Sequence, residues 1–179
     1  MLSRVNDRVR EVAEALDWLL PTLARLVFAA VLFGYFWASA LTKFDGPFTP
    51  SLGAYAQIFP RMMEASGYDA GQLPGWTLPV VLAGSWAEVV LPVLIVVGLL
   101  TRLAALGMLG FVVVQSLTDI VGHAAGAEVV GAWFDRASDA LILDQRALWV
   151  FLFVVLMVKG GGPLSVDWVL RRTFSRVPA

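Results

Sequence analysis

Ionisable side chains that fall inside or at the edges of long apolar runs are costly to keep there, so their positions carry information: Arg25, Lys43, Glu88, Asp119, His123, Asp144 and Arg146. Glu88 is the sharpest case, alone among charges in its run. Four residues later Pro92 lacks the N–H that would bond the carbonyl of residue 88, so a carboxyl group and a freed carbonyl are expected side by side in a kinked helix. Together they can hold a proton, a cation or a ligand hydroxyl. Two other readings stay open, in which Glu88 is protonated or pairs with Arg25 to hold two helices in register. Arg25, near the start of its run, either snorkels to the headgroups or approaches Glu88 from below.

A second group collects at similar depth from three different runs: Lys43 at the end of the first, Asp119 and His123 one turn apart at the end of the third, Asp144 with Arg146 at the start of the fourth. A His and carboxylates beside a Lys and an Arg suit binding of a polar headgroup and passage of protons to outer water, and suit equally an ion-pair network closing the bundle mouth. The candidate catalytic residues are therefore Glu88, Asp119 and His123, and the candidate ligand-binding residues are Arg25, Lys43, Glu88 and Arg146. Ser116, Asp119 and His123 share a helix face, but hydrolysis needs a geometry that one helix does not supply.

Other chemistries are excluded by composition. Zero cysteines remove disulfides, thiol relays, iron–sulfur clusters and Cys-ligated zinc. A single histidine rules out a bis-His haem within this chain, and Asp119 with His123 makes too few ligands for a metal site. A net charge of -1 argues against a nucleic-acid partner.

The elements that must position these groups are membrane spans. Of 179 residues, 59% are apolar and 15% charged, with mean hydropathy +0.77, outside the soluble range. The apolar runs give an all-α four-helix transmembrane bundle forming one domain over 1–179, with spans at about 19–42, 77–101, 103–122 and 140–159. Thr101-Arg102 is the expected turn between the second and third spans. The fourth must begin near Ala140, because Ala147 to Val158 is too short to cross. Residues 1–18 place Leu2, Val5, Val9, Val12 and Leu16 at three- and four-residue spacing, an amphipathic helix expected to lie on the cytoplasmic membrane surface or grip a partner, with a solvated lead-in helix as the equal alternative. Leu52, Tyr55, Phe59, Met62 and Met63 predict a short interfacial helix lying flat in the first outer loop, and Ser165 should cap a helix in the 163–179 tail. Ala38-Ser39-Ala40 imitates a signal-peptidase site, but the long, partly acidic lead-in argues for an uncleaved span. Arg4, Arg8, Arg10, Arg102, Lys159, Arg171, Arg172 and Arg176 flank one side, against Lys43, Arg61, Arg136 and Arg146 on the other, which puts both termini in the cytoplasm.

Arg25, Lys43, Glu88, the hairpin Gly98-Leu99-Leu100-Thr101-Arg102-Leu103 and the GGGPLSVD run from Gly160 to Asp167 together resemble the DoxX family of small four-helix bacterial membrane proteins, over about residues 24–168. The resemblance implies the bacterial inner membrane and kinship with the small membrane subunit of thiosulfate:quinone oxidoreductase. The leading expectation is thus a subunit of a quinone-linked membrane oxidoreductase without its own redox centre. In it Glu88 and the Lys43, Asp119, His123, Arg146 group would bind a quinone headgroup or relay its protons, with electrons drawn from a partner. The alternative is a non-catalytic structural or assembly subunit of a larger membrane complex. A transporter using the Pro92 break has less support, since no internal repeat is visible.

Overall fold

The computed structural model describes residues 2–174, with side chains from Arg4 onward. Four helices are long and apolar enough to cross a membrane: Arg4–Leu41, Thr77–Val97, Thr101–Gly122 and Leu141–Lys159. An even number of crossings brings the first and last described elements out on the same side.

The first helix is longer than its span. It runs from α1 (Leu2–Leu16) through a 3-10 turn at Asp17–Leu19, α2 (Leu20–Val27), a wide π-helical stretch at Phe28–Phe33 and α3 (Gly34–Leu41). Its 38-residue Arg4–Leu41 stretch rises about 57 Å, against a hydrocarbon core of about 30 Å. The amphipathic segment therefore continues the span outward, and every side chain from Arg4 to Trp18 is exposed.

The segment after the first span departs most from expectation. It opens with an antiparallel hairpin of β1 (Phe44–Gly46) and β2 (Thr49–Pro50), followed by two short helices, α4 (Leu52–Ile58) and α5 (Pro60–Ala65). One continuous helix is interrupted at Phe59, whose φ of -125° and ψ of 57° are not helical, directly before Pro60. The hairpin packs along the second span. The Trp86 indole N–H, nine residues into α6 (Thr77–Val97), donates to the Pro47 carbonyl at 3.0 Å, and the Phe44 ring meets Trp86 at 5.3 Å. Nine residues of helix are about 13 Å, so the hairpin reaches well down the outer half of α6. Irregular backbone is tolerated at such depth only where protein or a cavity surrounds it.

Helix α6 runs unbroken through Pro92 and ends at Val97, four residues before the expected boundary. The turn is Gly98-Leu99-Leu100, with Gly98 at φ 74° and Leu100 at φ 48°, and α7 (Thr101–Leu117) starts at Thr101. Two observations explain the shift. Gly98 and Leu99 N–H groups return to the Leu94 carbonyl at 2.8 and 3.0 Å, a glycine-terminated helix end. The Asp167 carboxylate then accepts from Leu100 and Thr101 N–H at 2.7 and 2.9 Å, a cap supplied from 66 residues away. After α7 a π turn covers Thr118–Gly122, and the outer loop holds α8 (Ala127–Val130). The fourth span starts at Leu141 with a second π turn, Leu141–Gln145, before α9 (Arg146–Lys159), in line with the expected start near Ala140. Ser165 Oγ accepts from Trp168 N–H at 3.2 Å and begins α10 (Val166–Phe174), where Arg172 lies 4.0 Å over the Trp168 ring. Arg176 lies outside the described residues.

Phe28, Phe36, Ile95, Met108, Phe153 and Leu156 are fully buried between the spans, with Phe28 and Phe153 rings 5.8 Å apart. Lipid tails are as apolar as these side chains, so close fit rather than exclusion of water holds the bundle. Gly107 shows how close: a Cβ there would stand 2.8 Å from Leu91.

Candidate functional site

Lys43 follows the first span directly, and its backbone is held at both ends: its N–H donates to Ala40 and its carbonyl accepts from Ser51 at 2.9 Å. Because the hairpin beyond it descends along α6, the side chain is carried to the level of Glu88. Lys43 Nζ lies 2.7 Å from Glu88 Oε2, with 7% and 1% of the two side chains exposed. The ammonium also donates to Ser39 Oγ at 2.8 Å, one turn back on α3. The approach to Glu88 matches charge with charge, yet Oε2 receives no well-directed hydrogen bond.

A second pair, of a buried Arg146 and a half-buried Asp119, lies between the third and fourth spans. Arg146 Nη2 donates to Asp119 Oδ2 at 2.6 Å, and Nη1 to Ser116 Oγ at 3.0 Å. Both charged residues sit in or beside π turns, whose extra residue per turn re-aims the side chains that follow. Asp119 stands within Thr118–Gly122, and Arg146 directly follows Leu141–Gln145.

Both pairs border one cavity of about 760 Å³. Its apolar walls include Leu91, Phe111 and Val114, and small residues of α6 and α7 (Ala83, Gly84, Gly107, Gly110) leave it room. Val80, Ala83, Gly110 and Val114 are themselves exposed, so the wall between α6 and α7 is low on the bilayer side. Nothing stands within 4 Å of a Cβ built at Gly110. Gln115 Nε2 donates to Tyr35 OH at 3.0 Å inside the same cavity. Among the described residues five buried side-chain atoms lack a hydrogen-bond partner: Thr22 Oγ1 and Thr101 Oγ1 away from this space, and Gln115 Oε1, Arg146 Nε and Glu88 Oε2, the last ion-paired with Lys43, on side chains lining it. Such atoms cost free energy unless something answers them.

His123 reaches only the rim, where its Nε2 is 3.1 Å from the Gln57 carbonyl and its side chain is exposed. Asp144 does not pair with Arg146. Its Oδ2 accepts from Ala140 N–H at 3.0 Å and caps the start of the fourth span.

Arg25 lies elsewhere: of its two open readings the approach to Glu88 is not the one found, and its side chain does not line this cavity. Its guanidinium donates to the carbonyls of Ile95, Val96, Gly161 and Leu164, at 2.9 Å to Ile95 and 3.0 Å to Gly161. The first two are carbonyls of the last turn of α6, which a helix end leaves available. A Cβ at Gly98 would stand 2.5 Å from Ser165 Cβ and 2.8 Å from Arg25 Cζ, and one at Gly161 would meet Ser165 and Thr101 at 2.7 Å. The hairpin turn and the terminal glycine-rich run thus pack on each other around Arg25. For Asp167, burial works to raise the carboxyl, but hydrogen bonds from Thr101 and Leu100 and the nearby Arg171 charge outweigh it and hold it below its ordinary value.

Tyr35, Ser39, Gln57, Gln115 and Thr118 complete the polar lining, and counting charges alone passes over them. Neutral hydrogen-bonding side chains inside apolar spans were the available signal. Among the described residues no set of three His, Cys, Asp or Glu side chains converges as a metal site.

No curated protein and no solved structure matches the chain significantly. The family model described as DoxX matches residues 20–119, a stretch that takes in Lys43, Glu88, Asp119 and the Gly98–Leu103 hairpin and stops before Arg146 and the terminal glycine-rich run. With more than half of its length matched, and four spanning helices to carry it, this chain belongs to the DoxX family.

Proposed function

We propose that the cavity between α6, α7 and the Lys43 end of the first span binds the headgroup of a membrane quinone, and that the chain serves a quinone-linked redox system of the bacterial inner membrane with its termini in the cytoplasm. The observation that carries this reading is the convergence of buried polar atoms that lack a hydrogen bond on an apolar-walled space. Arg146 Nε is a donor suited to a quinone carbonyl, and Glu88 Oε2 and Gln115 Oε1 are acceptors suited to a quinol hydroxyl. When bound, a quinone supplies two-electron, two-proton chemistry that no side chain of this composition provides. The chain's part is to bind, orient and exchange protons. Lys43 faces Glu88, Arg146 anchored on Ser116 fixes Asp119, and His123 at the rim connects the site to outer water. Electrons come from a partner subunit.

A second reading rests on the same pairs: Lys43 and Arg146 each already have a carboxylate, so the two bridges also serve a structural subunit by keeping helices in register. Solvent extraction of the protein purified from its membranes separates the two. Quinone should co-purify, and Gly110→Leu, which fills open space, should lower its stoichiometry on the order of tenfold while changing stability by less than about 1 kcal/mol. Absence of quinone from the extracted protein, with unchanged partner activity in Glu88→Gln, would leave only the structural role.

A further inference from the structure

The exposed helix beyond the first span carries an apolar stripe with a strict register. Val5, Val9, Val12, Leu16, Leu19, Leu23 and Leu26 follow one another at alternating intervals of four and three residues, across the junction from α1 into α2. That is the a/d pattern of a coiled-coil seam. Six of the seven are exposed, Val9 by 62% and Leu26 by 60%, and Leu19 is half-buried, while the buried face of the same helix is Pro21, Thr22, Ala24, Arg25 and Phe28.

The flanks agree with the register. With Val9, Leu16 and Leu23 at a, the e and g positions are Asn6, Ala13, Leu20, Arg8, Ala15 and Thr22, so Arg8 alone is charged. Arg4, Asp7, Arg10, Glu11, Glu14 and Asp17 all fall on the remaining positions, and Arg10 and Glu14 satisfy each other there at 2.8 Å. A parallel copy would set Arg8 beside Ala13 rather than beside another cation. Two copies in one bilayer are necessarily parallel, because each is inserted the same way.

We infer that this seam is where two copies of the chain associate, through a parallel helix pair that begins outside the membrane and enters it. From Val5 to Leu26 the seam is about 32 Å long, and at a width of about 10 Å it covers roughly 320 Å² on each copy. The sum of about 640 Å² is below the 1,200 Å² or so at which soluble interfaces become stable. Confinement to one membrane makes up the difference, since it fixes orientation in advance and raises the effective concentration.

The absence of cysteine makes the test direct. Single-cysteine variants of the full chain, at Val9 and Val12 on the seam and at Asp7 and Glu14 on the outer face, are reconstituted in liposomes and oxidised mildly. Disulfide dimers should form on the order of tenfold more at the seam positions, because a disulfide requires Cβ atoms within about 4.5 Å. Raising the lipid content tenfold lowers the yield at every position but should leave the seam positions ahead of the outer-face ones, because a chance encounter has no preferred face. Equal yields at all positions, no dimer at any, or a preference for the seam that vanishes as lipid is added would overturn the assignment.

Discussion

Replacement of Lys43 by methionine removes the ammonium that faces Glu88 and keeps the aliphatic length of the stem. At 2.7 Å the pair attracts with about 6 kcal/mol at the effective dielectric appropriate to protein sites, most of it offset by the desolvation of two side chains that are 7% and 1% exposed. The variant keeps the desolvation of Glu88 and loses the attraction. Its expected cost is therefore that of an orphaned buried charge, about 3–5 kcal/mol. Lys43→Met with Glu88→Leu removes both charges and should be near neutral, so the double variant ought to be more stable than Lys43→Met alone by about 3 kcal/mol. Equilibrium unfolding of all four proteins in mixed non-ionic and anionic detergent micelles gives the cycle. If Lys43→Met costs less than about 1 kcal/mol, or if the double variant equals the sum of the single ones within about 0.5 kcal/mol, the pair is not the coupled, water-excluded unit described above.

Further outcomes follow from the opposite end of the bundle. Arg25→Met should cost about 3–5 kcal/mol in the same assay, since four carbonyls lose a charged donor, while quinone stoichiometry per folded protein stays unchanged because Arg25 is remote from the cavity. Asp167→Asn should weaken the cap on α7 by about 0.5–2 kcal/mol at neutral pH. Because the folded carboxyl is held below its unfolded value near about 3.9, the charged form stabilises fully above that pH and the contribution is lost as pH falls through the lower folded value. The gap between wild type and Asp167→Asn, followed by thermal unfolding, should therefore close in acid and stay open from pH 5 upward.

Hydropathy read the four spans directly, since no other pattern keeps backbone groups satisfied across oil, and even the short fourth span started where length demanded. The turn after α6 was misplaced because its cap comes from Asp167, 66 residues on, and no local window contains that carboxylate. Glu88, Lys43, Asp119 and Arg146 stood out by type and depth. Their pairing did not, because four helices with unknown rotation allow several matches of opposite charge. Here the hairpin lowers Lys43 and the π turns rotate Asp119 and Arg146. The surroundings of Arg25 were illegible for a related reason: its partners are main-chain carbonyls, which every residue has and no sequence distinguishes.

The low wall between α6 and α7 changes what concentration means for this cavity. A molecule entering past Val80, Ala83, Gly110 and Val114 comes from the acyl chains, having already left water. Its occupancy then depends on molecules per lipid rather than molecules per litre, so empty vesicles added at constant total ligand would thin the supply and lower saturation while the aqueous phase hardly changes.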